Sequence, residues 1–162
     1  MSNNSSEVRI YKTKAGGIAA QTPYHPDLPK RFKALGGKWH SDAGVWTFDI
    51  RDEARVRAVV EDVFGSLEES GRLVTLRYKV TNASGSPVRL AGRVIAERRG
   101  RDSAVALGRG VVVVEGYFPN SGGSRNNPSI GLHYGDAVIV EIRDVDANVA
   151  AKMVAEGAEI IS

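Results

Sequence analysis

Residues 24–48 read YHPDLPKRFKALGGKWHSDAGVWTF, and the fold of the first half of the chain follows from how this stretch is parsed. Tyr24-His25-Pro26 is an extended lead-in, because a residue before proline is pushed out of the helical region. Asp27 stands where an N-cap is expected, and Pro29 suits the first turn of a helix, where a missing N–H costs nothing. Leu28, Phe32 and Leu35 then recur at i, i+4 and i+7, which gives one apolar helical face. Lys30, Arg31 and Lys33 occupy the rest. Gly36-Gly37 ends the helix by turning through positive φ. Lys38-Trp39-His40 leads into Ser41-Asp42-Ala43-Gly44, a turn composition, and Val45 to Phe48 reads as a strand, so the two tryptophans are expected on a hairpin.

Working outward, Glu7 to Tyr11 alternates and residues 17–22 continue apolar after a glycine pair, which predicts a first hairpin turning near Ala15-Gly16-Gly17. Beyond the central stretch, Val56, Val59, Val60 and Val63 share one stripe of a helix over residues 52–64. The first unit, residues 8–65, is therefore expected to be β-β-α-β-α. Residues 66–71, rich in Ser, Glu and Gly, read as a linker. From residue 72 the period changes to two. Strands are expected over 73–80, over 88–97 with Arg89, Arg93 and Arg98 outward, over 111–114 as a run buried on both faces, and over 137–142, with a helix over 147–155. Together these predict an α+β chain whose second half, 72–162, is a mainly antiparallel β unit, barrel or sandwich, with a short C-terminal helix.

A length of 162 residues accommodates one ordinary domain or two small ones. Hydrophobic residues at 42% and charged residues at 25% are globular values, and no apolar run approaches a membrane span. The polar start, residues 1–7, is expected to be a disordered tail rather than a signal peptide. With no cysteine there is neither a disulfide framework nor a thiolate metal site, and a cytoplasmic setting is the simplest expectation. The net charge of +3 is mild, but its distribution is uneven. Arg9, Lys12, Lys14, Lys30, Arg31, Lys33 and Lys38 stand against Asp27 alone in residues 9–38. Residues 72–109 are also basic, and residues 136–159 are acidic. Such segregation orients polyanions.

The residues F-K-x-L-G-G-K-W followed by G-V-W-T-F resemble the HARP domain of annealing helicases and its smaller bacterial and mobile-element relatives, over roughly residues 8–64. The resemblance rests on Phe32, Lys33, Leu35, Gly36, Lys38, Trp39, Trp46 and Phe48. It implies a compact module that recognises DNA structure, such as single-strand to double-strand junctions, without reading sequence and without catalysis of its own. The helicase motor that accompanies the domain in larger proteins has no counterpart here, so the binding part alone carries over.

The residues themselves point the same way, since cations for phosphates beside flat rings for bases make a sequence-tolerant nucleic-acid surface. Trp46 and Phe48 share one face of a strand and are expected in the core, whereas Trp39 and Tyr24 are expected outside. The candidate DNA-binding residues are Lys30, Arg31, Lys33, Lys38, Trp39, Tyr24, Arg9, Lys12, Lys14 and Arg125. The last lies in the glycine-rich segment Ser121-Gly122-Gly123-Ser124-Arg125-Asn126-Asn127, which reads either as a phosphate cradle or as an ordinary mobile loop. No catalytic residue, cofactor or metal is expected: His25, His40 and His133 lack zinc-ligand spacing, and no GK[ST] ending marks a P-loop. Two other readings stand beside DNA binding. One is a protein-interaction or inhibitor module acting through the acidic C-terminal segment or the 119–136 loop. The other is a metal-dependent nuclease built on Asp136 and Glu141, in which Arg143 replaces the usual lysine and cannot serve as a base.

Overall fold

The structure is a computed structural model and describes residues 8–162. The tail expected over residues 1–7 lies outside the described residues. The fold is α+β, and the chain divides into two compact units with the boundary between Leu67 and Glu68, inside the stretch 66–71.

In the first unit, β1 (Arg9–Lys12) and β2 (Ile18–Gln21) form the expected hairpin, closed by Thr13 N–H donating to the Gly17 carbonyl at 2.9 Å. Helix α1 spans Leu28–Ala34, and after it β3 (Lys38–His40) pairs with β4 (Val45–Phe48). A 3₁₀ turn at Ile50–Asp52 leads into α2 (Glu53–Phe64). The order is thus β-β-α-β-β-α, one strand more than periodicity predicts. β3 is three residues long and exposed throughout, so it carries no burial alternation to be read. The antiparallel sheet runs β1-β2-β4-β3. Asp27 takes the N-cap position, but its side chain caps nothing; its own N–H donates to His25 Nδ1 at 3.2 Å.

The core of this unit lies on one side of the sheet. Phe32, fully buried, meets Trp46 at a ring separation of 5.5 Å and Phe48 at 5.1 Å edge-on, and Ile18, Ala20, Leu28, Val56, Val60 and Phe64 close around them. Burying a phenylalanine stabilises by about 1.5–3 kcal/mol, and each aromatic pair adds about 0.5–1.5 kcal/mol. Gly36, at φ +76°, turns the chain out of α1, and Gly37 N–H returns to the Phe32 carbonyl at 2.9 Å. This turn drops β3 beside β4. A Cβ on Gly37 would stand 2.6 Å from the Phe48 ring and 2.8 Å from the Phe32 carbonyl oxygen.

The second unit holds two antiparallel sheets over one core. The larger consists of β5 (Leu73–Val80), β9 (Val111–Glu115), β10 (Val138–Asp146) and β11 (Glu159–Ile160), in the order β11-β5-β10-β9. The smaller contains β6 (Val88–Leu90), β7 (Arg93–Glu97) and β8 (Ala106–Leu107). Helix α3 (Ala147–Ala155) sets Ala150 and Met153 into the same core as Leu76, Ile95 and Val140.

Three expectations are corrected here. Residues 88–97 are not one strand but a hairpin, because Ala91 (φ +46°) and Gly92 (φ +69°) make a two-residue turn. The buried Ala91 N–H donates to Glu156 Oε2 at 2.6 Å. Val111–Glu115 is not buried on both faces: it pairs only with β10, and Val112 and Val114 are exposed, so the run of valines is an edge strand. Arg98 does not point outward. It is 6% exposed, and its guanidinium donates to the carbonyls of Ser129, Ser103, Pro119 and Ile130. A buried charge is tolerated only when its donors are satisfied, and here main-chain oxygens do so.

Gly37→Ala is expected to destabilise the first unit by about 2 kcal/mol through overpacking against Phe48, whereas Gly44→Ala, in open space at φ +68°, is expected to cost about 1 kcal/mol. Paired chemical denaturation curves read the difference. Glu156→Ala leaves the Ala91 amide without its acceptor and is expected to cost about 1–3 kcal/mol in the same measurement.

Candidate nucleic-acid interface

The helical period of α1 decides where its cations stand. Leu28 and Phe32 face the sheet, and Lys30 and Lys33, both exposed, lie on the opposite side. Neither has an ion pair among the described residues. Arg31 projects from the flank nearest α2, where its Nη1 lies 2.7 Å from Asp62 Oδ2. That acid takes up the charge expected to meet phosphate, so Arg31 serves the packing of α1 against α2. Even such a partly exposed pair contributes only about 0.2–1 kcal/mol.

Cross-strand register decides the rest. Trp39 stands directly opposite Trp46, so both indoles lie on the helix side of the sheet. Trp46 is 9% exposed and belongs to the core; Trp39, one strand further toward the edge, is 53% exposed. Their rings are 5.6 Å apart and tilted by 48°, so Trp39 leans on Trp46, which leans in turn on Phe32. The accessible indole is thereby braced from beneath. Lys38 alternates to the other side of the sheet, opposite Thr47. Tyr24 is 72% exposed in the segment before α1.

Arg9 lies on the same side as Lys38. Its Nη2 donates to Gln21 Oε1 at 3.1 Å, and its guanidinium sits 5.3 Å from the centre of the Tyr11 ring. Lys12 and Lys14 are exposed at the end of the first hairpin. The cations proposed from the sequence are therefore not one patch. Lys30 and Lys33 stand on the helix side with Trp39, Arg9 and Lys38 stand on the open side, and Arg31 is held by Asp62. Tyr11 and His40 belong to the open side as well and escaped the sequence reading. Period-two alternation carries the signal for both, since it couples Tyr11 to Arg9 and His40 to Lys38.

Arg125 belongs to the second unit, exposed at the tip of a small turn closed by the Gly123–Pro128 bridge. The segment around it is partly closed on itself. The N–H groups of Gly122, Ser124, Asn127, Ser129 and Ile130 donate to Arg101, Asn127, Ser124, Gly122 and Ser86 respectively, and Arg98 grips the segment from within. Other basic residues of this half are engaged too. Arg99 pairs with Glu97 and Arg101 with Asp102, while Arg93 is half-buried and burial lowers its pKa.

Four of the six acids of residues 136–159 are likewise occupied, and Asp144 and Glu159 are exposed. Glu141 meets Arg143 at 3.5 Å, Asp136 accepts from His133 N–H, Asp146 caps α3 by accepting from Asn148 N–H, and Glu156 holds Ala91. No cluster of three or more His, Asp or Glu suited to a metal ion occurs among the described residues, and no helix among them is long and apolar enough to cross a membrane. No family model, curated protein or solved structure matches the chain.

In a Trp46→Phe variant, emission from the remaining Trp39 is expected to be readily quenched by acrylamide, and in Trp39→Phe the remaining Trp46 is expected to resist quenching. Comparable quenching in the two would contradict the exposures on which this interface rests.

Proposed function

We infer that this protein is a non-enzymatic, sequence-tolerant DNA-binding protein that recognises single-stranded or junction DNA. The observation that carries the reading is the exposed Trp39, held against Trp46 on the side of the sheet where Lys30 and Lys33 stand without acidic partners. A braced ring loses little side-chain freedom when a base stacks on it, and stacking on an aromatic side chain is worth about 1–3 kcal/mol per base whatever the base. Two uncompensated lysines on the same side supply the phosphate contacts that such stacking needs. Lys12, Lys14 and Tyr24 extend the surface.

The likeness of residues 8–64 to HARP domains supports junction DNA as the preferred form. It also supports an accessory role in replication, repair or mobile-element maintenance; the cytoplasmic setting rests separately on the absence of cysteine. The second unit contributes less, because Arg93, Arg98, Arg99, Arg101 and Arg143 are held within it. A protein-binding role through the acidic segment has less support, since Asp136, Glu141, Asp146 and Glu156 are engaged in the fold.

Fluorescence anisotropy with labelled single-stranded, duplex and forked oligonucleotides over a salt series tests the reading. Affinity is expected to fall steeply with salt and to favour single-stranded or forked over duplex DNA. Trp39→Ala is expected to weaken single-strand binding by about 10-fold or more, in line with about 1–3 kcal/mol for one lost stack. Absent or salt-insensitive binding would reject the proposal.

A further inference from the structure

The sheet of the first unit has both helices on one side, and its other side is built as a second strip. Register places Tyr11, Ala19, Thr47 and Lys38 in one row across all four strands on the side away from α1 and α2. Arg9 and His40 stand on that side too, at opposite ends. Arg9 is stacked on Tyr11, and His40 Nε2 lies 2.7 Å from Thr47 Oγ1. Between them Ala19 and Val45 are buried, and Gln21 and Thr47 are half-buried. The row therefore carries a ring and a cation at one end and a cation and an imidazole at the other. With strands about 4.8 Å apart it is about 14 Å long.

Lys38 and Trp39 are consecutive residues of β3, an edge strand exposed along its whole length. Alternation sends one to each side, so the strip bearing Lys30, Lys33 and Trp39 and the strip bearing Arg9, Tyr11 and Lys38 meet along this edge. A helix packed on a sheet separates the two strips by roughly 10 Å or more. That is about the distance over which exposed charges are screened at physiological salt. A phosphate seated beside Lys30 and Lys33 is thus largely screened from Arg9 on the other side. Two strands diverging from one point can occupy both.

We propose that the open face of this sheet is a second DNA-binding strip and that β3 lies at the branch point of a fork, with one arm on each side of the sheet. This rests on the DNA-binding reading and assigns its preference for junctions to two separate sets of residues.

The test compares the full chain with two double variants, Lys30→Glu with Lys33→Glu and Arg9→Glu with Lys38→Glu, all at exposed positions. Binding is measured by anisotropy on a single strand, a one-armed fork and a two-armed fork. The helix-side variant is expected to weaken single-strand binding by about 10-fold. The open-face variant is expected to change single-strand binding less than about twofold, and to reduce the two-armed fork to the affinity of the one-armed fork. Equal losses on single strand and fork for both variants would mean that one strand wraps the edge, and would overturn the proposal. So would a two-armed fork indifferent to the open-face variant. Wild-type protein that binds none of the three probes is a different failure, in which the DNA-binding reading itself falls. If charge reversal disturbs the thermal melt, Arg9→Gln with Lys38→Gln carries the same comparison.

Discussion

The contact of Phe32 with Trp46 and Phe48 is the constraint from which the first unit takes its form. It fixes α1 over β4, and with Gly37 packed against the Phe48 ring it brings β3 back alongside at a set register. That register turns Trp46 inward and leaves Trp39 at the rim. Both indoles lie on the same side of the sheet, and only the place of Trp39 on the edge strand leaves it exposed where Trp46 is buried, so core packing and candidate surface are two consequences of a single arrangement.

In the second unit the corresponding role belongs to polar chemistry. Apolar packing joins the two sheets and α3, but the long connection between β9 and β10 has few apolar residues to hold it. Arg98 supplies the hold instead, drawing carbonyls from residues 103, 119, 129 and 130 to one planar cation. A segment rich in Gly, Ser and Asn is thereby kept in a defined conformation that its composition does not suggest.

Much of this was legible in the sequence, for identifiable reasons. The stripe of Val56, Val60 and Val63, and the alternation over 73–80, mark α2 and β5 clearly, because in each a single burial direction repeats for several residues. The turn at Ala91 was hidden, since a non-glycine residue seldom takes positive φ. Four consecutive valines read alike whether the strand is central or at an edge, and only pairing separates the cases. Cations were expected outside, which holds for Lys30, Lys33 and Lys38 and fails for Arg98. At the candidate interface the residue types could be read, but the division between two sides depends on β3, a strand too short to announce itself. The partner of Arg31, 31 positions away, is likewise a matter of tertiary placement.

The Arg98 anchor has an evolutionary corollary. Its acceptors are all main-chain oxygens, which every amino acid supplies. Side chains at residues 103, 119 and 129 can therefore change without removing an acceptor, whereas Ile130 is also held by the core, and an inserted or deleted residue between them displaces oxygens from the cation. The cation thus constrains the length of the connection more than the identity of the residues that supply its acceptors.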